Sequence, residues 1–469
     1  MKSIILLLLS TTAFNLWSAP IDYQVRFDLN AQELYVKACF DEAPPKRLKT
    51  STRKAKGLID SIRWYYAEDK SSTIPAVDNY SIRLYYREAG CLQYTVDFGG
   101  RESRINSKRL RQQHPQDVIL RIAEWLWLPD DLSAYPTTVT FSHAQDYSIS
   151  SPWTLISRSA TETRYRIPDL PLDWTGYVAI GQFDVETIRI GESELRVAMI
   201  EGLHEANKPM LREWIRSMAD SIAAIGGEFP VKQAQVIVYL ISGYNGSVPW
   251  GQVNRGGGSG VMFFVNARQD RKRLFADWTA AHEFSHLLLP YTPYDRWLSE
   301  GFASYHQNIT RARVGLLDEQ TAWEKLLSGF ERGRKTANRP GAPYVENAGR
   351  SHNMQMYWGG AVMALLIEVE LYKQTEGKLS MSSVLAQLDD CCLESSREWR
   401  ARQVIDKLDE ISGTTAFSKT YRKHIYRNSY PDYKQALSEL GIQHNGYSIR
   451  LSDSAPLADL RDRIMKGTP

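Results

Sequence analysis

Residues 282–286 read His-Glu-Phe-Ser-His, an arrangement with a definite chemical use. On a helix, side chains at i and i+4 share a face with their roots about 6 Å apart. The imidazoles of His282 and His286 can therefore grip one cation. Glu283 can reach a water on the same ion, and zinc lowers the pKa of such a water to about 7, where a carboxylate can take its proton. Leu274, Trp278, His282, Ser285, His286 and Leu289 form one stripe of a helical run from Leu274 to Leu289, which Pro290 ends. That stripe turns the histidines toward the core. The plain alternative is two exposed histidines on a surface helix, and the apolar surroundings argue against it. A hydrolytic zinc site takes three protein ligands and leaves one position open. Glu300, fourteen residues past His286 and beyond the turn from Pro290 to Pro293, is the natural third ligand. Gly301 beside it lets its helix approach the first. Asp295 and Glu283 are the other carboxylates in reach.

Several elements must position these residues. Helical patterns cover about 272–289, 297–312, 318–335 and 355–374, with more to about 440. Before them, Glu194–Ile200 and Ala234–Leu240 read as strands around a helix from Met210 to Ile225 that stops at Gly226-Gly227. A glycine turn, Gly256 to Gly260, leads into the apolar strand Val261–Val265. It lacks the Lys-Ser/Thr of a phosphate cradle and the spacing of a nucleophile elbow. Residues 21–170 alternate with period two, and Tyr80–Tyr86 and Cys91–Phe98 flank a hairpin loop at 87–90, which together predict an antiparallel β-sandwich.

The stretch from Arg296 to Tyr305, Arg-Trp-Leu-Ser-Glu-Gly-Phe-Ala-Ser-Tyr, after His-Glu-x-x-His, resembles the gluzincin metallopeptidases, in particular the aminopeptidase-N-like and glycyl aminopeptidase families. The resemblance implies one Zn²⁺ on His282, His286 and Glu300, with Glu283 as general base. The interval from His286 to Glu300 is shorter than in the aminopeptidase-N type. Tyr357-Trp358-Gly359-Gly360 resembles the Tyr-x-x-Gly segment whose phenol holds the oxyanion, a task that suits a neutral donor; a packing aromatic is the alternative. His352 is a weaker candidate for substrate contact, or simply a loop histidine. The glycine turn and Val261–Val265 occupy the place of these families' edge strand, so Gly258, Ser259 and Gly260 are candidate substrate contacts, or merely a flexible loop. Aminopeptidases carry a glutamate there for the substrate's α-amine; residues 258–264 contain no acid. The implied fold class is multidomain α+β: a leader at 1–19, a β-sandwich at 20–175, a thermolysin-like α/β catalytic domain at 176–315, a helical domain closing the cleft at 316–442, and a polar tail at 443–469.

The chain has 469 residues, 43% hydrophobic and 24% charged, the make-up of a folded protein. A formal net charge of +3 gives no support for nucleic acid as the partner. Met1-Lys2 followed by an apolar run to about Trp17 and Ser18-Ala19 describes a secretory leader, cleaved after Ser18 or Ala19, with no later span fit to insert in a membrane. The expected location is periplasmic or secreted. Of four cysteines, Cys39 and Cys91 sit on the wetter faces of their strands, where a bridge is reasonable, whereas adjacent Cys391 and Cys392 read as free thiols in a helix. The basic stretches Lys46–Lys56 and Arg101–Arg111 read as solvated loops. The expected activity is zinc-dependent hydrolysis of peptide or protein substrates, aminopeptidase-like. The alternatives are an endopeptidase, since the amine anchor is missing, a gluzincin hydrolase with a non-peptide substrate, and a catalytically silent zinc-binding interaction protein.

Overall fold

Strict alternation along Ile21–Asp28, Glu33–Phe40 and Gly90–Asp97 sends Tyr23, Val25, Leu34, Val36, Leu92 and Tyr94 to one face. A computed structural model describes residues 20–99, 117–169, 176–200, 207–338, 345–348, 352–395, 397–427, 429–444 and 448–467. These strands lie in an eight-stranded sheet, ordered Thr154–Arg158, Glu162–Ile167, Thr137–Ser142, Ile21–Asp28, Glu33–Phe40, Gly90–Asp97, Ile59–Tyr66 and Ser72–Thr73. Two smaller sheets share its apolar core. The arrangement is not wholly antiparallel: Ile21–Asp28 and Thr137–Ser142 run parallel, because the chain leaves through the smaller sheets before returning to the first strand. Nor do residues 80–98 form a hairpin. Ser81–Arg83 pairs with Arg47–Lys49 and Ala76–Val77, while Gly90–Asp97 pairs with Glu33–Phe40. Gly90 is there because Trp64 lies over it: a Cβ at that position would come within 2.5 Å of the indole.

The next sheet is ordered Val185–Ile190, Ser193–Ile200, Gln233–Ile241, Ser259–Asn266 and Trp250–Arg255, its middle three strands parallel. Both of its faces are covered. Val236, Val238, Val261 and Phe263 face the helix Lys208–Gly226, and Ile237, Tyr239, Met262 and Phe264 face Tyr177 and Ala179. Burial on two sides is why these strands read as unbroken apolar runs. The strand Ser259–Asn266 is interior; the edge is Trp250–Arg255.

The expected single helix from Leu274 to Leu289 is two. Arg271–Ala276 stops at Asp277, whose carboxylate accepts the Thr279 amide at 2.8 Å and starts Thr279–Ser285 afresh, continued by a 3-10 turn over His286–Leu288. Helices Arg296–Arg313, Glu319–Ala337 and Asn353–Thr375 follow and share a core with the shorter helices after them. The stretch after 442 is no loose tail. Ile442–His444 pairs with Ile449–Leu451, and helix Ala458–Lys466 buries Leu460, Ile464 and Met465. Cys39 and Cys91 are cross-strand partners joined by a disulfide. Cys391 and Cys392, expected as free thiols in a helix, are bonded to each other, since the chain there is a turn with three amides converging on the Leu388 carbonyl. Lys46–Lys56 is partly structured, Arg47 and Lys49 pairing with Asp130. The leader and Arg101–Arg111 lie outside the described residues.

Helices Arg296–Arg313 and Asn353–Thr375 cross glycine on glycine. A Cβ on Gly360 would lie 2.2 Å from the Trp297 carbonyl oxygen, and one on Gly301 would lie 2.5 Å from the Gly360 Cα. Gly301 thus serves this crossing rather than an approach to the histidine helix. Gly360→Ala should cost about 1–3 kcal/mol by overpacking, read as a lower urea midpoint; an unchanged midpoint would show that the helices part freely.

Candidate metal centre

The histidine helix ends against the sheet. Arg255, on the edge strand, donates from Nη2 to the carbonyls of His286 at 3.3 Å and Leu289 at 3.2 Å, satisfying helix-end acceptors with a cation. Trp278, expected on the inward stripe, is 48% exposed, with its ring edge-on to His282. After Pro290 the chain turns and begins the glutamate helix, Arg296–Arg313.

The two helices bring His282, His286 and Glu300 together. One ligand atom from each lies within 4.8 Å of the others. Glu300 Oε2 is 3.2 Å from His282 Nε2 and 3.5 Å from His286 Nε2. The rival carboxylates are occupied elsewhere: Asp295 accepts the Ala401 amide at 2.9 Å, and Glu283 accepts the Val253 amide at 2.9 Å. Each imidazole is held from behind, His282 Nδ1 at 2.9 Å from Gln307 Oε1 and His286 Nδ1 at 2.9 Å from Ser299 Oγ. An amide oxygen accepts the Nδ1 proton and turns Nε2 toward the common centre, where it can bind a cation once its own proton is lost. Burial alone would raise the Glu300 pKa, but bonds and charge from the two imidazoles overcome it and hold the carboxyl well below its usual range. Burial likewise opposes a charged His282, and Glu300, Glu283 and Gln307 outweigh it, so its pKa is raised. Two imidazole nitrogens and a carboxylate oxygen converging in a partly buried place form a donor set that suits zinc, with one position open. Among the described residues this is the one such group.

Glu283 and Tyr357 flank it. Gly251 of the edge strand lets Glu283 come close, for a Cβ there would meet Glu283 Cγ at 2.7 Å and Thr279 Cγ2 at 2.8 Å. The Tyr357 ring lies parallel to that of His282, centroids 6.0 Å apart. Burial and the Glu300 charge push its phenol pKa far up, so it remains a neutral donor.

The glycine turn, also a sequence candidate, is engaged elsewhere. Gly258 packs under the Pro152 carbonyl, Gly260 over the Asn254 side chain, and the Ser259 hydroxyl meets Arg255 at 3.4 Å, all buried in the sheet. The glycine turn seats the β-layer: Trp153 Nε1 donates to the Gly256 carbonyl at 3.0 Å, and Gly176 abuts Gly256. The strand beside the site is instead Trp250–Arg255, and it too lacks a carboxylate. His352 stands at the N-cap position of the tyrosine helix, Asn353–Thr375, with no side-chain capping hydrogen bond. Sequence reasoning passed over Gln307, although it lies seven residues past Glu300, two turns along the same face. It also passed over Gly251 and Arg255, whose only signal was a short polar strand.

The fold is similar to that of solved aminopeptidase-N-like zinc metallopeptidases. The chain is similar to an aminopeptidase N family protein from Idiomarina loihiensis, with a TM-score of 0.67 at 14% identity over 90% of this chain and 78% of that one. It is similar to the M1 zinc metallopeptidase from Deinococcus radiodurans, with a TM-score of 0.53 at 14% identity over 88% of this chain and 95% of that one. Yeast LTA4 hydrolase gives 0.54 at 12% identity, over 88% of this chain and 68% of that one. No family model matches the sequence, and neither does any curated protein.

Gln307→Leu should weaken metal binding about 10–100-fold, the usual effect of removing a ligand's hydrogen-bond partner. Competition with a zinc chelator measures it; unchanged affinity would mean that Gln307 does not orient His282.

Proposed function

We propose that this protein is an exported, zinc-dependent metallopeptidase, aminopeptidase-like in its action. The observation that carries the reading is the convergence of His282, His286 and Glu300 at the edge strand, with Glu283 and Tyr357 beside them. The neighbours support it, one of them an M1 zinc metallopeptidase also solved as a mutant bound to a Tyr-Ser-Ala substrate. Export is supported by the leader-like start of the sequence and by two disulfides among the described residues. No helix among the described residues is long and apolar enough to cross a membrane.

His282, His286 and Glu300 would hold the zinc, which supplies Lewis acidity to the scissile carbonyl and acidifies water. An extended peptide lies along Trp250–Arg255. Glu283, fixed by the Val253 amide, takes a proton from the attacking water and delivers it to the departing amine nitrogen. The Tyr357 hydroxyl donates to the oxygen that gains negative charge.

A second reading, endopeptidase action, is favoured by one observation: neither the edge strand nor the turn after it offers a carboxylate to a free α-amine. Matched peptides with free and acetylated N-termini separate the two, since cleavage that survives acetylation belongs to an endopeptidase.

Glu283→Gln should keep zinc and lose about 10²–10⁴-fold in turnover, and Tyr357→Phe should lose about 10²–10³-fold. Hydrolysis of a mixed peptide pool beside metal content measures both. Wild-type turnover in Glu283→Gln would end the mechanism, and bound zinc with no turnover in the wild type would favour an interaction protein.

A further inference from the structure

Beyond Glu300 the glutamate helix keeps a polar face where a core face is expected. Ser304, Gln307, Asn308 and Arg311 follow at spacings of three and four, and all are buried. They line a cavity of about 650 Å³ whose other wall comes from helix Glu319–Ala337 and the start of the tyrosine helix; Trp278 and Tyr357 also border it. Buried polar groups ordinarily find partners. Gln307 has His282, but the Asn308 side chain, 2% exposed, makes no hydrogen bond among the described residues. Arg311, 0% exposed, donates from Nη2 to the Ala276 carbonyl at 2.8 Å, and its Nε and Nη1 have no partner among the described residues.

The cavity's charge is lopsided. Arg311 lies beneath it, Lys325 and Arg332 stand on its outer wall, and the carboxylate among the lining residues is Glu324: three cations against one anion. Arg332 lies over the Trp358 ring at 5.0 Å and donates to Ser328 Oγ at 2.8 Å, which fixes its charge at the rim. Asp277 also acts on Arg311, but its oxygens already accept the Thr279 and Val248 amides, at 2.8 and 3.3 Å. Burial outweighs that neighbour and pulls the Arg311 pKa down to about 10.

We infer that this cavity is a specificity pocket for a carboxylate on the substrate, presented near the bond to be cut. The inference rests on the peptidase reading and names what that peptidase prefers. The wall begins at Gln307, which touches His282, and reaches Arg311 one helical turn on, about 5.4 Å, the reach of a glutamate side chain. The Asn308 amide donates to the carboxylate, and the three cations supply the field that draws it in. The carboxylate can come from an acidic side chain or from the end of a short peptide; its chemistry is the same.

The test uses the zinc-loaded full chain and peptides alike except for Glu, Gln or Lys at each position flanking the cleaved bond, C-termini amidated, with a free-acid Gln series beside them. Glu should exceed Gln about tenfold or more in kcat/KM at one position, a difference of about 1.4 kcal/mol, with Lys lowest. Lys325→Glu/Arg332→Glu, changed at exposed positions, should erase or invert that order. A preference for the free-acid Gln peptide alone would assign the pocket to a chain end. Equal rates for Glu and Gln at every position, with no terminal effect, overturn the pocket while leaving the peptidase standing, as does an order that ignores the charge reversal. If no peptide is cut, the peptidase reading fails and the pocket is read by itself. Saturation-transfer NMR with N-acetylglutamate amide and N-acetylglutamine amide on the metal-free protein should then show contact for the acid alone, and equal signals overturn it.

Discussion

The rest of the structure answers to one demand: a carboxylate, Glu300, must stand between two imidazoles that come from another helix. Like the imidazoles, it loses much of its hydration there, and the contacts at 3.2 and 3.5 Å are what offset that loss. Such an arrangement survives only if the backbones carrying it cannot drift. The histidine helix is pinned at one end by Asp277 and at the other by Arg255. The glutamate helix is pinned by its glycine contact with the tyrosine helix, which also delivers Tyr357. Close backbone approach makes the site rigid, and rigidity is what a shared ion requires of its ligands.

The same economy joins the base to the substrate's seat. Glu283 accepts an amide from the edge strand along which an extended peptide would lie, so the proton acceptor and the peptide are placed by one element. Gly251 admits the carboxylate's stem at that point. The glycine turn that follows takes no part in this; it locks the catalytic sheet to the β-layer through Trp153 and Gly176. Glycines serve two different close approaches within ten residues of each other.

What the chain reveals by itself divides along local and non-local lines. The convergence of His282, His286 and Glu300 was legible because helical spacing and a short motif place them, and the helices carrying Glu300 and Tyr357 fell within a few residues of the expected bounds, whereas the histidine helix is broken at Asp277. The break at Asp277 was missed because an aspartate that caps is spelled like one on a surface. Which strand is the edge could not be read, since Val261–Val265 is apolar for a reason visible only once both covering layers exist. The same holds for the glycine of the 87–90 loop, which answers to Trp64 from a distant strand. The pairing of Cys391 with Cys392 depended on a turn that local patterning had read as helix. Gln307 needed only the helix already drawn, followed one step further.

X-ray absorption at the zinc edge of the purified full chain addresses the central claim directly. The expected result is one zinc per chain with two nitrogen and one protein oxygen neighbour at about 2.0–2.2 Å and no sulfur, and loss of that signature in His286→Ala and Glu300→Ala. A protein that purifies without zinc and takes up none, or a shell that persists unchanged in both variants, would contradict it.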